Sequence, residues 1–77
     1  MRTGIVVSYN TIERIGLIKD SNNQKIRFYN ENSAIFFRKN DVVNYSVALT
    51  NHGLRAVNVT TILDGNGAIV NLDINVN

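Results

Sequence analysis

The chain has 77 residues, with 44% apolar and 18% charged side chains. That is one small domain with enough apolar content for a core, and too much for a disordered segment. It has no Cys, so disulfides and thiolate metal sites are excluded. The net charge of +2 is unevenly placed. All eight Lys and Arg lie before Val59 with four of the six acids, leaving +4 on residues 1–59 and −2 on the rest. A mildly basic body suits a polyanionic partner.

The elements follow in chain order. "GIVVSYN", residues 4–10, is rich in β-branched residues and reads as a strand. "RIGLIKD", residues 14–20, reads as a second. "SNNQ" is a polar turn. "KIRFYN", residues 25–30, alternates: Ile26 and Phe28 face one way, Lys25, Arg27 and Tyr29 the other. Residues 31–41 have no strand period and read as a loop, with a short helical turn around residues 33–36. "VVNYSVALT" is a fourth strand with Val43, Tyr45 and Val47 on one face. "NHG" is a turn, and "LRAVNVTTIL", residues 54–63, a fifth strand. "DGNG" is a strong turn signal. "AIVNLDINVN", residues 68–77, alternates strictly and reads as an additional C-terminal strand. Val70, Leu72, Ile74 and Val76 form its apolar face, against Asn71, Asp73, Asn75 and Asn77. Asn occurs thirteen times, which fits a turn-rich β protein.

Short strands at roughly ten-residue spacing, with no helical period, predict a small all-β barrel or sandwich. At this length a five-stranded barrel is the most economical form, because closure removes edge strands. The expected division is a barrel over residues 1–61 and a hairpin or strand extension over residues 62–77. No apolar run approaches the ~20 residues needed to cross a bilayer. The first residues lack a signal-peptide pattern, so a cytoplasmic location is expected by default and no membrane association.

Several segments resemble the cold-shock domain, an antiparallel five-stranded barrel of the oligonucleotide-binding (OB) fold class. The likeness runs from about Gly4 to Val59. "GIVVSYN" matches the opening Gly-x-Val-x-Trp-Phe-Asn, keeping Gly4, Val6 and Asn10, with Tyr9 at the Phe slot and Ser8 at the Trp slot. "ERIGLI" matches the first ribonucleoprotein motif, Lys-Gly-Phe-Gly-Phe-Ile, keeping Gly16 and Ile18. "KIRFYN" lies where Val-Phe-Val-His-Phe belongs, with Arg27, Tyr29 and Asn30 at its outward aromatic slots. "SAI", Ser33 to Ile35, repeats the family's Ser-Ala-Ile, and "RAVNVT" keeps Ala56, Asn58 and Val59 of Ala-x-Asn-Val. The resemblance implies a single-stranded RNA- or DNA-binding protein that stacks bases on outward aromatics of its first three strands.

Most of those rings are replaced here. Ser8, Ile15, Leu17, Arg27 and Asn30 stand at aromatic slots, and only Tyr9 and Tyr29 keep rings. Each base–aromatic stack contributes about 1–3 kcal/mol, so binding is expected to be weaker than that of a full aromatic platform. The candidate nucleic-acid-binding residues are Tyr9, Arg14, Ile15, Leu17, Lys25, Arg27, Tyr29, Arg38 and Arg55. A guanidinium can stack on a base or pair with phosphate, which gives Arg27 part of a ring's role. Ordinary solvated charge on outer strand faces is the competing reading for each of these cations, Arg27 included.

Ile15 and Leu17 are predicted to face outward, since Gly16 and Ile18 face in. Two outward aliphatics raise an alternative, a protein-interaction or self-associating module that has lost nucleic-acid binding. In that alternative, Ile15, Leu17 and the apolar tail face form the contact with a protein partner or a second copy. The tail strand could add to the barrel edge, lie over Ile15 and Leu17, or pair with another copy. His52, the only His, sits in a turn. No nucleophile–base pair, phosphate loop or metal-ligand spacing is present, so neither enzyme activity nor a cofactor is expected.

Overall fold

The computed structural model describes residues 1–73. Five strands form, β1 Arg2–Asn10, β2 Ile15–Lys19, β3 Lys25–Tyr29, β4 Val42–Thr50 and β5 Gly53–Thr61. They close into a barrel in the order β1-β2-β3-β5-β4, and no helix is present among the described residues. The loop at residues 31–41 is irregular, and its expected helical turn reduces to one bond from the Ile35 N–H to the Asn32 carbonyl (3.1 Å).

β1 is long because it serves two neighbours. Its first half pairs with β4, from Arg2 opposite Tyr45 to Ile5 opposite Val42. From Ile5 onward it pairs with β2. The seam between β3 and β5 is the thinnest part of the barrel, a parallel contact with Phe28 opposite Ala56.

The core is Val6, Ile18, Phe28, Phe37, Val43, Tyr45 and Ala56. Tyr9, Ile26, Val47 and Val59 pack against it from the barrel rim. Two bulges decide which side chains join it. In β1 the register slips between Val6 and Ser8, which takes one residue out of alternation. In β4–β5 it slips opposite Asn44 and Ser46, where Asn58 takes a left-handed φ of 54°. Asn tolerates that conformation because its short polar side chain bonds locally.

The turns are built by Asp and Asn side chains. Asp20 Oδ1 accepts the N–H groups of Asn22 (2.8 Å) and Gln24 (2.9 Å). Asp64 Oδ1 accepts those of Asn66 (2.8 Å) and Ala68 (3.0 Å), at the same spacing. Each turn then needs one left-handed residue at its fourth position. Asn23 supplies it at φ 63° and Gly67 at φ 80°. This is the physical use to which much of the Asn content is put.

The tail departs from expectation. Its described part is no regular strand; it makes isolated bridges, Leu63 with Ile69 and Asp41 with Asn71. It lies along the start of β4: Val42 N–H donates to the Val70 carbonyl (3.0 Å) and Leu72 N–H to the Asn40 carbonyl (3.0 Å). The side chain seated on the barrel is polar Asn71, whereas Leu72 is 57% exposed. Of the described tail residues, Val70 is half-buried and Asn71 reaches the buried Asp41 carboxylate, so the tail adds to the edge of β4 and does not cover Ile15. Ile74 and Val76 lie outside the described residues.

Candidate nucleic-acid interface

Registers across β1, β2 and β3 define the outer face row by row. Gly16, Ile18 and Phe28 are buried, so their neighbours along each strand face out. One row is Ile5, Lys19 and Lys25; the next is Ser8, Leu17 and Arg27; the third is Asn10, Ile15 and Tyr29. Three of these nine outward positions are cationic and none is acidic. Ile15, Leu17, Lys25, Arg27 and Tyr29 therefore share one surface.

Tyr9 does not share it. The β1 bulge shifts the alternation after Val6, so Tyr9 falls on the inner side, opposite Gly16. Its ring stacks on Phe28 (centroids 5.9 Å apart, planes 14° apart) and meets Phe37 edge-on at 5.6 Å. Asn30, at another expected outward slot, is 6% exposed. Its Nδ2 donates to the Tyr9 hydroxyl (2.9 Å) and the Ile35 carbonyl (2.7 Å), and its Oδ1 accepts the Asn32 N–H (3.0 Å). Both residues build the barrel rim and the following loop. Nothing in the alternation of "GIVVSYN" marks the bulge, which is why the sequence places Tyr9 outside.

Tyr29 is the one aromatic among these nine outward positions, 51% exposed. Arg14 holds it: Nη2 donates to the Tyr29 hydroxyl (2.8 Å), and the guanidinium carbon lies 5.3 Å from the ring centroid. Such a cation–π contact at an exposed site contributes about 0.5–1 kcal/mol. Arg14 precedes β2 at a left-handed φ of 59° and closes the β1–β2 turn, its N–H donating to the Asn10 carbonyl (2.7 Å).

Beside this face, along the β3–β5 seam, runs a groove of about 790 Å³. Ile15, Arg27 and Tyr29 form its near wall, and Arg55, His52 and Asn58 stand on the far side. Platform and groove are thus one continuous surface. Arg55 is half-buried and folds back along its own strand, its Nη1 donating to the Leu54 carbonyl (2.9 Å). Arg38 lies elsewhere. It lines a hollow of about 250 Å³ with Lys39, Asn71 and Asp73 under the tail, so it is not brought to the platform.

Two exposed features escaped sequence reasoning. Phe36 is an exposed aromatic on the loop before β4, next to buried Phe37. Leu49 and Leu54 face each other at the β4–β5 tip, both exposed. A run such as "AIFFRK" signals apolar residues without saying which ring anchors and which faces water.

Among the described residues, no group of three or more His, Cys, Asp or Glu is placed to hold a metal ion. No described helix is long and apolar enough to cross a membrane. The fold and surface define an all-β, closed five-stranded barrel with one basic, partly apolar sheet face. No protein-family model matches the chain, and no curated protein matches it.

Proposed function

We propose that this chain is a cytoplasmic single-stranded nucleic-acid-binding module of the OB class, cold-shock-like in type, and not an enzyme. RNA or DNA would cross the outer face of β1–β3 toward the β3–β5 groove. The observation that carries this reading is the outer face itself: Lys19, Lys25 and Arg27 without an acid among them, beside exposed Tyr29. Cations there neutralise phosphates, and a ring with two aliphatic neighbours gives a base a surface to rest on. The strand order β1-β2-β3-β5-β4 supports the class. With one ring on the face, binding is weaker than on a full aromatic platform. Anisotropy titrations with fluorescent mixed-sequence 7-mers and 12-mers of RNA and DNA test it. Affinity should fall as salt rises; no binding at low salt with high-micromolar protein ends the reading.

One observation favours a second reading, contact with a protein or a second copy through the tail. Leu63, Ile69 and Leu72 are exposed on the tail, and its described residues leave Ile15 exposed. Sedimentation of the full chain and of a chain ending at Thr61 discriminates. A concentration-dependent dimer only in the full chain supports this reading, and monomers in both count against it.

A further inference from the structure

Among the described residues, Arg14 is the only residue other than Gly or Asn with a positive φ. A Cβ-bearing residue is strained there, and an Arg has no local polar bond to compensate as Asn does. The motif resembled by "ERIGLI" carries Gly at this point. The turn itself uses only the Arg14 main chain: its N–H donates to Asn10 (2.7 Å) and its carbonyl accepts from the Asn30 N–H (2.8 Å). Those bonds would survive in Gly, so they account for the turn and not for the side chain.

The side chain has one contact that does account for it. Nη2 donates to the Tyr29 hydroxyl at 2.8 Å, with the guanidinium 5.3 Å from the ring centroid. Among the described residues, that hydroxyl has no other hydrogen-bond partner. The Tyr29 ring is half-exposed at the end of β3 and lacks the packing that holds Tyr9. A ring fixed before binding does not lose rotamer freedom on binding.

We propose that Arg14 is a positioning residue: it presets the Tyr29 ring for stacking by one base of a single strand, and does not itself pair with phosphate. This rests on the nucleic-acid reading above. The test compares Arg14→Gly, Arg14→Lys, Tyr29→Phe and the double variant Arg14→Gly/Tyr29→Phe with the native chain. Each is titrated with a fluorescein-labelled mixed-sequence 7-mer at several salt concentrations, and each is melted.

Arg14→Gly should melt at or above the native midpoint yet bind about 10-fold more weakly, with an unchanged salt slope. Arg14→Lys should bind as weakly as Arg14→Gly, because Lys keeps the charge and lacks the planar fork. Tyr29→Phe should lose part of the affinity, and Arg14→Gly should then add less to that loss than it costs alone. Native affinity in Arg14→Gly overturns the proposal and leaves the nucleic-acid reading standing. So does rescue by Lys together with a salt slope reduced by about 0.7 in Arg14→Gly, which would assign Arg14 to a phosphate. Absence of binding by the native chain overturns both.

Discussion

The rings of Tyr9 and Phe28 stack across Gly16, one strand apart on either side of it. Gly16 is what lets them meet. A Cβ there would fall 2.4 and 2.6 Å from Phe28 ring carbons and 3.0 Å from the Ser8 carbonyl oxygen. Phe28 also packs edge-on to Phe37 at 5.2 Å, so the ring has little room to retreat. Gly16→Ala should destabilise by about 1–3 kcal/mol through overpacking. In a domain of this size that lowers the thermal midpoint by at least ~4 °C. An unchanged midpoint would mean that the cluster relaxes freely.

The same three residues show how much was legible beforehand. Alternation puts Val43 and Tyr45 on one face, and the motif resemblance adds Gly16 and Phe28 as inward positions; all four are buried. Tyr9 was not expected inside, because a bulge inverts every side chain beyond it and leaves no compositional mark. Asn30 was misplaced for a related reason. Its burial depends on a partner hydroxyl from another strand. The tail adds a different lesson: its apolar alternation is visible in sequence, but the buried Asp41 carboxylate that Asn71 meets on the barrel is not. Of the candidate surface, Ile15, Leu17, Lys25, Arg27 and Tyr29 were legible together, and Arg38 was not separable from them by sequence.

Tyr9 and Tyr29 should therefore separate stability from binding. Tyr9→Leu removes two aromatic contacts, each contributing about 0.5–1.5 kcal/mol, and leaves the platform rows in place. Its midpoint should fall while oligonucleotide affinity, measured where the protein is folded, stays native. Tyr29→Leu should do the opposite, losing about 1–3 kcal/mol of binding with little change in midpoint. Melting curves and anisotropy on both variants check this. A binding loss in Tyr9→Leu matching that in Tyr29→Leu would contradict the geometry.

Arg27 offers a test of charge on the same face. It is exposed, opposite Leu17, and shared by platform and groove. Arg27→Gln should weaken binding across sequences and reduce the salt slope by about 0.7 if it neutralises one phosphate of a single strand. A slope identical to that of the native chain would remove Arg27 from the phosphate path.

Asn71 and Asp41 make a prediction about the tail. Asp41 is 1% exposed, and its Oδ2 accepts the Arg38 N–H at 2.9 Å. Its Oδ1 accepts Asn71 Nδ2 at 2.7 Å. Removing Asn71 leaves a buried carboxylate oxygen without that partner, which costs about 1–3 kcal/mol. Asn71→Ala should lower the urea midpoint accordingly, and ending the chain at Thr61 should lower it at least as far. A truncated chain of native stability would show that the tail contributes nothing to the barrel.

The pH dependence should have two limbs with different owners. The Asp64 carboxyl is held below its ordinary value of 3.8 by the Ala68 N–H, with the Asn66 N–H adding to it. A depressed carboxylate contributes turn stability that is present above its unfolded value and lost as pH falls through the folded one. Amide shifts of Asn66 and Ala68 should therefore titrate with a midpoint below 3.8, and Asp64→Asn should abolish that titration. At the other end, burial raises the Tyr45 phenol above its ordinary 10.0. The Asp20 charge adds to this and Arg2 opposes it. Here the neutral form is the folded one, so its contribution is complete below pH 10 and lost as pH rises through the higher folded value. Unfolding followed at 295 nm should show Tyr45 ionising with the loss of the fold, at a pH above that of an exposed tyrosine. In Tyr45→Phe the alkaline limb of stability should flatten. A limb unchanged in that variant would assign alkaline unfolding to another group.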